Sequence, residues 1–378
     1  MDRRRLMGVF GGILLAVSLT ATPALAGSQR DRDQRLQQLL DADRLSGVPG
    51  PFAEVRDRGH VWRGASGVAD IVTRRPVHPW FQHRVGNVAK TFVAATVLQL
   101  VGERKVALDA PIGRYLPDVV PGPLGQQVTV RMLLGETSGI GNYSDGFFRV
   151  PDDLEAMRNR HFTPRELVAL GLAKRPTNAP GAAWAYSNTN YVIAGMLIEK
   201  ITGRRYGAEV ERRIVRPLGL LGTYFPGAER GIRGPHANAY APWPGDTLRD
   251  FTDYDMSWAW AAGEMISTPQ DLNRFYQALL TGRVLRSDLL AEMLTTAPPA
   301  SEVEGHGLGI YWVRTACGRM WGQDGSVVGH RALTLHSPDA KRQVTLAENL
   351  TFTNPPGLPH PIDNPRLRFL TEATCGKA

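Results

Sequence analysis

The stretch from Val88 to Val101 is almost wholly apolar and contains neither glycine nor proline. A run of that length is too long for an ordinary strand and reads as a helix. With apolar residues around nearly its whole circumference, that helix must be covered on most sides, so the rest of the chain has to fold around it. The 378 residues, 43% of them hydrophobic, suffice for a large core, as one big domain or two intimately packed lobes. Asn87 stands at the helix N-terminus, where an asparagine commonly acts as N-cap.

Other elements can be placed around this centre. Asp31 to Arg44 carries Leu36, Leu39 and Leu40 at helical spacing and runs into the Gly47 to Pro51 cluster. Two short strands, Phe52 to Arg56 and Val61 to Gly64, flank Asp57-Arg58-Gly59, which has the chemistry of a hairpin turn. From about Leu108 to Leu221, short helical segments alternate with Pro/Gly-rich loops. Thr268-Pro269 supplies a cap and a first-turn proline for a helix reaching Leu280. Strand-like runs follow at Leu308 to Val313, Ala332 to Leu335 and Val344 to Ala347, and Arg366 to Thr374 reads as a closing helix.

The N-terminus has the pattern of an export signal. Arg3, Arg4 and Arg5 precede an apolar run from Leu6 to Leu19, and Ala24-Leu25-Ala26 offers an A-x-A cleavage site before Gly27. Residues 1–26 are therefore expected to be a signal peptide and 27–378 the mature domain, secreted or held at the cell wall. No later stretch reaches the roughly 20 apolar residues of a membrane span. Cleavage removes Asp2 and the three arginines, leaving +6 of the formal +8. These charges are spread along the chain, which suits solubility, and nothing resembles a nucleic-acid-binding module. Cys317 and Cys375, the two cysteines of a chain that carries an export-signal pattern, are expected to form a disulfide. The histidines show no metal-ligand spacing, so neither a metal nor another cofactor is expected.

Three segments carry candidate chemistry. In Arg84-Val85-Gly86-Asn87-Val88-Ala89-Lys90, positions 87 and 90 share one helical face at the helix start. Tyr186-Ser187-Asn188 follows Pro180-Gly181, and Gln323-Asp324-Gly325-Ser326 lies in the late strand region. In order and surroundings these resemble the S-x-x-K, Y-x-N and H-x-G or K-T-G elements of the penicillin-recognising serine hydrolases, the D-alanyl-D-alanine carboxypeptidases and class C β-lactamases. Leu134 to Gly139, Arg216 to Leu220, Ala262 to Thr268 and Gly307-Leu308-Gly309 resemble further landmarks of that family in the same order. The resemblance runs from about Arg35 to the C-terminus.

It implies an α/β fold of the α+β type: an antiparallel sheet flanked by helices, from about 27–107 and 282–378, and an all-helical lobe from about 108–281. The cleft would lie at their junction. The resemblance also implies roles for individual residues. Lys90 would take the proton of the attacking group, Tyr186 would relay it, and Asn188 would bind the ligand amide. Gln323, Gly325 and Ser326 would line the third element, with the backbone N–H groups of Ser326 and residue 87 forming an oxyanion hole.

The departures point away from catalysis. Asn87 stands where the attacking serine is expected, and a carboxamide nitrogen has its lone pair delocalised, so it cannot form an acyl-enzyme. Gln323 replaces a residue able to carry positive charge, and Glu136 replaces a histidine in the Leu134 to Gly139 landmark. No S-x-x-K or G-x-S-x-G occurs in the chain. Ser138, Ser187 and Ser326 read as hydrogen-bonding loop residues, and Lys90 as a partly buried amine bonded to Tyr186 and Asn87. Trp258 and Trp260 are candidates for core or cleft wall. The expectation is a pseudoenzyme that retains a cleft for a small molecule or peptide of the acyl-D-Ala-D-Ala or β-lactam type. An active hydrolase or transacylase with an unrecognised nucleophile, or an envelope interaction module, are the alternatives.

Overall fold

The computed structural model describes residues 23–245, 247–296, 301–351 and 364–376, with side chains from residue 28 onward. Most of the expected signal segment therefore lies outside the described residues. No described helix is long and apolar enough to cross a membrane.

The strands are β1 (Phe52–Asp57), β2 (His60–Ala65), β3 (His83–Arg84), β4 (Tyr240–Trp243), β5 (Thr247–Asp250), β6 (Ile266–Ser267), β7 (Glu304–His306), β8 (Tyr311–Thr315), β9 (Gly318–Val327), β10 (His330–His336) and β11 (Arg342–Glu348). Seven of them form one antiparallel sheet in the order β2-β1-β11-β10-β9-β8-β7, while β3 pairs with β6 and β4 with β5. The β1–β2 turn places Arg58 and Gly59 at φ of 46° and 98°. This is the positive-φ turn that matches strand twist, and Asp57 pairs with His60 across it.

Chain ends meet on this sheet. β1 pairs with β11, the last strand in sequence, and the N-terminal helix Pro23–Leu45 packs on the C-terminal helix Pro365–Cys375. The N-terminal helix begins earlier than the expected Asp31. Leu36, Leu40, Val55, Trp62, Leu346 and Phe369 form the core between these helices and the sheet. Cys317 and Cys375 form the expected disulfide, with Cα atoms 5.4 Å apart, tying the β8–β9 turn to the end of the last helix.

Helix Val88–Gly102 occupies the centre, and every residue from Val88 to Leu98 is buried. One side packs on helix Asn188–Thr202 of the helical region, while Phe92 stacks on Phe275 with ring centroids 3.6 Å apart. Phe275 belongs to helix Pro269–Leu280, whose Thr268 caps the Asp271 N–H at 3.2 Å. That helix lies against the sheet: Asn273 donates to the Glu54 carbonyl and accepts from Thr345 Oγ1. The central helix is thus the shared core of sheet and helical region, and its N-terminus opens between them.

Candidate active site

Two glycines let the start of the central helix approach β9. Gly86 has φ of +56°, and a Cβ there would lie 2.8 Å from the Ser326 nitrogen; one on Gly325 would lie 2.7 Å from the Asn87 nitrogen. Side chains at either position would force strand and helix apart, so this close approach requires glycine. It brings the backbone amides of Asn87 and Ser326 into one neighbourhood.

Asn87 does not act as the expected N-cap. Its backbone is already helical (φ −60°, ψ −12°) and its side chain makes no capping bond. The carboxamide instead meets the Tyr186 hydroxyl, with Oδ1 at 2.8 Å; the Asn188 Oδ1 is also 2.8 Å from that hydroxyl. A phenol has one proton and cannot donate fully to two carbonyl oxygens. Asn188 is fixed, because its Nδ2 donates to Ser144 Oγ at 3.0 Å and its backbone N–H to Asn142 Oδ1 at 3.1 Å. The arrangement that satisfies all partners therefore has Tyr186 donating to Asn188 while the Asn87 amide turns its NH2 to the phenol oxygen.

Lys90 is 2% exposed. Its Nζ donates to Glu136 Oε1 at 2.8 Å and lies over the Tyr186 ring, 3.9 Å from the centroid, with the Tyr191 ring at 5.0 Å. The expected bonds from Lys90 to the Tyr186 hydroxyl and Asn87 are not made: a carboxylate outcompetes neutral oxygens for a buried ammonium. Glu136 reaches it through a left-handed backbone, φ +53°, anchored where Ala185 N–H donates to the Glu136 carbonyl at 2.9 Å. Burial pulls the Lys90 pKa below the usual lysine value, and the Glu136 charge works against that pull.

A cavity of about 530 Å³ opens above these groups, walled among others by Asn87, Lys90, Glu136, Trp184, Tyr186 and Gln323. Glu304, His306, Tyr311 and Asp324 line it as well. Trp184 and His306 stack with ring centroids 4.0 Å apart, spanning the gap between helical region and sheet. Asn188 sits behind Tyr186 rather than on the wall. Gly325 and Ser326 continue β9 beyond it. Burial pushes the phenols of Tyr186, Tyr191 and Tyr311 well above the ordinary tyrosine range, so they stay protonated. Burial also lowers the His306 pKa, against the raising effect of Glu304.

Among the described residues, no Ser, Thr or Cys side chain walls the cavity. Ser138 is buried and donates to Asn190 Oδ1 at 2.6 Å; Ser187 is buried and donates to the Gly141 carbonyl at 3.1 Å. Ser326 is exposed on β9. Trp258 belongs to the core, edge-on to Phe148, and Trp260 packs on Tyr206 at a separate small pocket, so neither forms the cleft wall. Sequence reasoning missed Asp324, Glu304, His306 and Trp184. The last three lie beside recognised landmarks, and Asp324 lies inside one, so motif flanks were the available signal. Arg366 also reaches the wall, from a helix with no local sign of that role.

The family model for beta-lactamase matches residues 33–364. The chain belongs to the beta-lactamase family. Among solved structures, this family member is similar to a D-stereospecific amidohydrolase from Streptomyces sp., at 37% identity and a TM-score of 0.81, covering 92% of this chain and 99% of that one. It is also similar to the D-amino acid amidase from Ochrobactrum anthropi SV3 complexed with L-phenylalanine amide, at 28% identity and a TM-score of 0.78 over 91% of this chain and 98% of that one. The putative penicillin-binding protein PbpX of Bacillus subtilis (strain 168) is 26% identical over 282 residues, 74% of this chain. The chain spans 66% of that relative's length, and 52% and 39% of the next two distinct curated relatives.

Proposed function

We propose that this beta-lactamase-family protein binds small acyl amides or peptides in its cleft without forming a covalent intermediate, and that it does so outside the cytoplasm. One observation carries the reading: where an attacking oxygen is needed, the Asn87 carboxamide sits 2.8 Å from the Tyr186 hydroxyl, and Lys90 is committed to Glu136. The proton-transfer groups remain, but they have no hydroxyl between them to activate. The similarity to an amidohydrolase and an amidase supports an amide-bearing ligand. Export is supported by the N-terminal Arg3 to Ala26 pattern and by the Cys317–Cys375 bond, which persists in oxidising compartments.

The test is direct. Purified mature protein is incubated with a fluorescent penicillin and with p-nitrophenyl acetate, and its intact mass is measured. The expected result is unchanged mass with both reagents. A stoichiometric acyl adduct that maps to any cleft side chain would overturn the reading and make the protein a working acyl-transfer enzyme.

A further inference from the structure

Helix Asn188–Thr202, the short helix Tyr206–Val210 and the segment around Trp260 close around a second pocket of about 170 Å³, which shares no lining residue with the cleft. A cavity of roughly 150 Å³ takes a benzene molecule, so the occupant is one compact group. Glycines seat its aromatic walls. A Cβ on Gly207 would lie 2.7 Å from the Phe225 Cβ, and one on Gly195 2.8 Å from the Trp260 ring. Trp260 itself is held left-handed, at φ +36°, which a bulky residue rarely adopts. The Tyr206 ring meets those of Phe225 and Trp260 at 78° and 65°, with centroids 5.4 and 4.6 Å away. The three rings therefore form a corner rather than a stack.

Glu264 lines this pocket and is 2% exposed. Its Oε1 accepts from the Tyr206 hydroxyl, while Oε2 has no partner among the described residues. A buried polar atom left open in this way is costly unless something fills it. Burial raises the Glu264 pKa to about 8; Asp255 and Glu199 add to that, and the Tyr206 bond and Arg205 work against it. Glu199 accepts the Tyr206 N–H at 3.0 Å, and Asp255 lies 3.0 Å from His161 Nδ1. An ammonium at Oε2 would supply the positive charge that lets this carboxyl ionise.

We propose that the pocket is a second binding site, for a small free primary alkylammonium whose N–H groups meet Glu264 Oε2 and whose carbon chain lies among Tyr206, Phe225 and Trp260. Aromatic rings attract a cation as well as its apolar stem, and an anion would meet Glu264 and Glu199. On binding, the ammonium keeps its protons and the Glu264 carboxyl releases its own to solvent. His161, Arg205 and Ala228 are exposed around the pocket; they leave room for a free amine and crowd a lysine carried on a peptide. The site is independent of the cleft function proposed above.

Four probes test this by protein-observed NMR titration: n-butylammonium, neutral 1-butanol, anionic butyrate, and Nα-acetyl-lysine methylamide, which carries the same ammonium on a backbone. At pH 8 wild type should bind n-butylammonium about tenfold more tightly than 1-butanol or the lysine derivative, with butyrate weakest. From pH 6 to 8 the n-butylammonium Kd should tighten by at least about tenfold, since the amine stays charged while Glu264 loses its proton more readily; the 1-butanol Kd should not follow. In Glu264→Gln the cation should lose both its advantage and its pH dependence. Ala228→Trp, at an exposed position of the lining, should weaken every probe by plugging the pocket. Equal Kd values for n-butylammonium and 1-butanol, no n-butylammonium binding at all, or binding that survives both variants would overturn the site and leave the cleft reading untouched. Equal binding of the lysine derivative would overturn the assignment to a free amine.

Discussion

Glu136 holds the Lys90 ammonium at 2.8 Å from a backbone turned left-handed, at φ +53°, and both side chains lie out of solvent. A buried ion pair of this kind is costly to break from one side, because the partner is left as an isolated charge. Glu136→Gln should therefore destabilise the fold by about 3 kcal/mol or more in urea unfolding. The double variant Lys90→Met, Glu136→Gln should regain most of that loss. Additive losses in the two single variants would show that the pair is not coupled as the geometry requires.

Replacing Asn87 by serine supplies the missing hydroxyl on the side of the helix where the Asn87 carboxamide now meets the Tyr186 phenol. Asn87→Ser should acquire an acyl adduct from p-nitrophenyl acetate, visible by intact mass, with burst kinetics at least about 100-fold faster than wild type. Adding Lys90→Met should abolish the burst, since the amine on the same helical face would no longer take the serine proton. A silent Asn87→Ser protein that still binds amides would mean that the Lys90–Glu136 pair is too tight to release a base.

How much of this could be read in advance depended on whether local chemistry decides the outcome. Asp57-Arg58-Gly59 forms its turn and Thr268-Pro269 its helix start from their own backbone preferences. The helix after Asn87 forms because nothing in it interrupts an apolar run. Strand β9 is different. Gly318, Arg319, Gly322, Gln323, Asp324 and Gly325 have little strand propensity, and hydrogen bonds to β8 and β10 hold the segment extended; only the family resemblance placed it. The cap expected of Asn87 failed because Tyr186, 99 residues away in sequence, claims its amide. Likewise the partner of Lys90 depends on a left-handed turn at Glu136 that tertiary contacts impose.

The Cys317–Cys375 bond closes a loop of 58 residues and fixes the last helix onto the sheet. In the chain-entropy model such a loop is worth about 4 kcal/mol. Unfolding of the reduced protein, or of Cys317→Ser, should show a loss of about 2 to 5 kcal/mol with ligand affinity preserved, because the bond lies away from the cavity wall. A loss of affinity larger than the loss of folded fraction would place the C-terminal helix, and with it Arg366, in control of the cleft.

Stability should also fall as pH rises, for a reason outside the cleft. Glu264 is wholly buried, hydrogen-bonded to the Tyr206 hydroxyl through Oε1, and its Oε2 has no partner among the described residues. Burial raises its pKa from 4.5 to about 8. Asp43, buried beside Glu348, is likewise pushed up to about 8, chiefly by desolvation and then by the Glu348 charge. Between the unfolded and folded values the native state holds protons that the unfolded chain has released, so stability is greatest at the acid end of the window and declines toward pH 8. For Glu264 alone the decline from pH 5 to 8 is at most about 4 kcal/mol. Glu264→Gln keeps a neutral side chain of the same shape at every pH. It should flatten the urea-unfolding profile over that range while Asp43 preserves part of the slope. An unchanged slope in the variant would mean that Glu264 ionises in the folded protein as readily as in the unfolded chain.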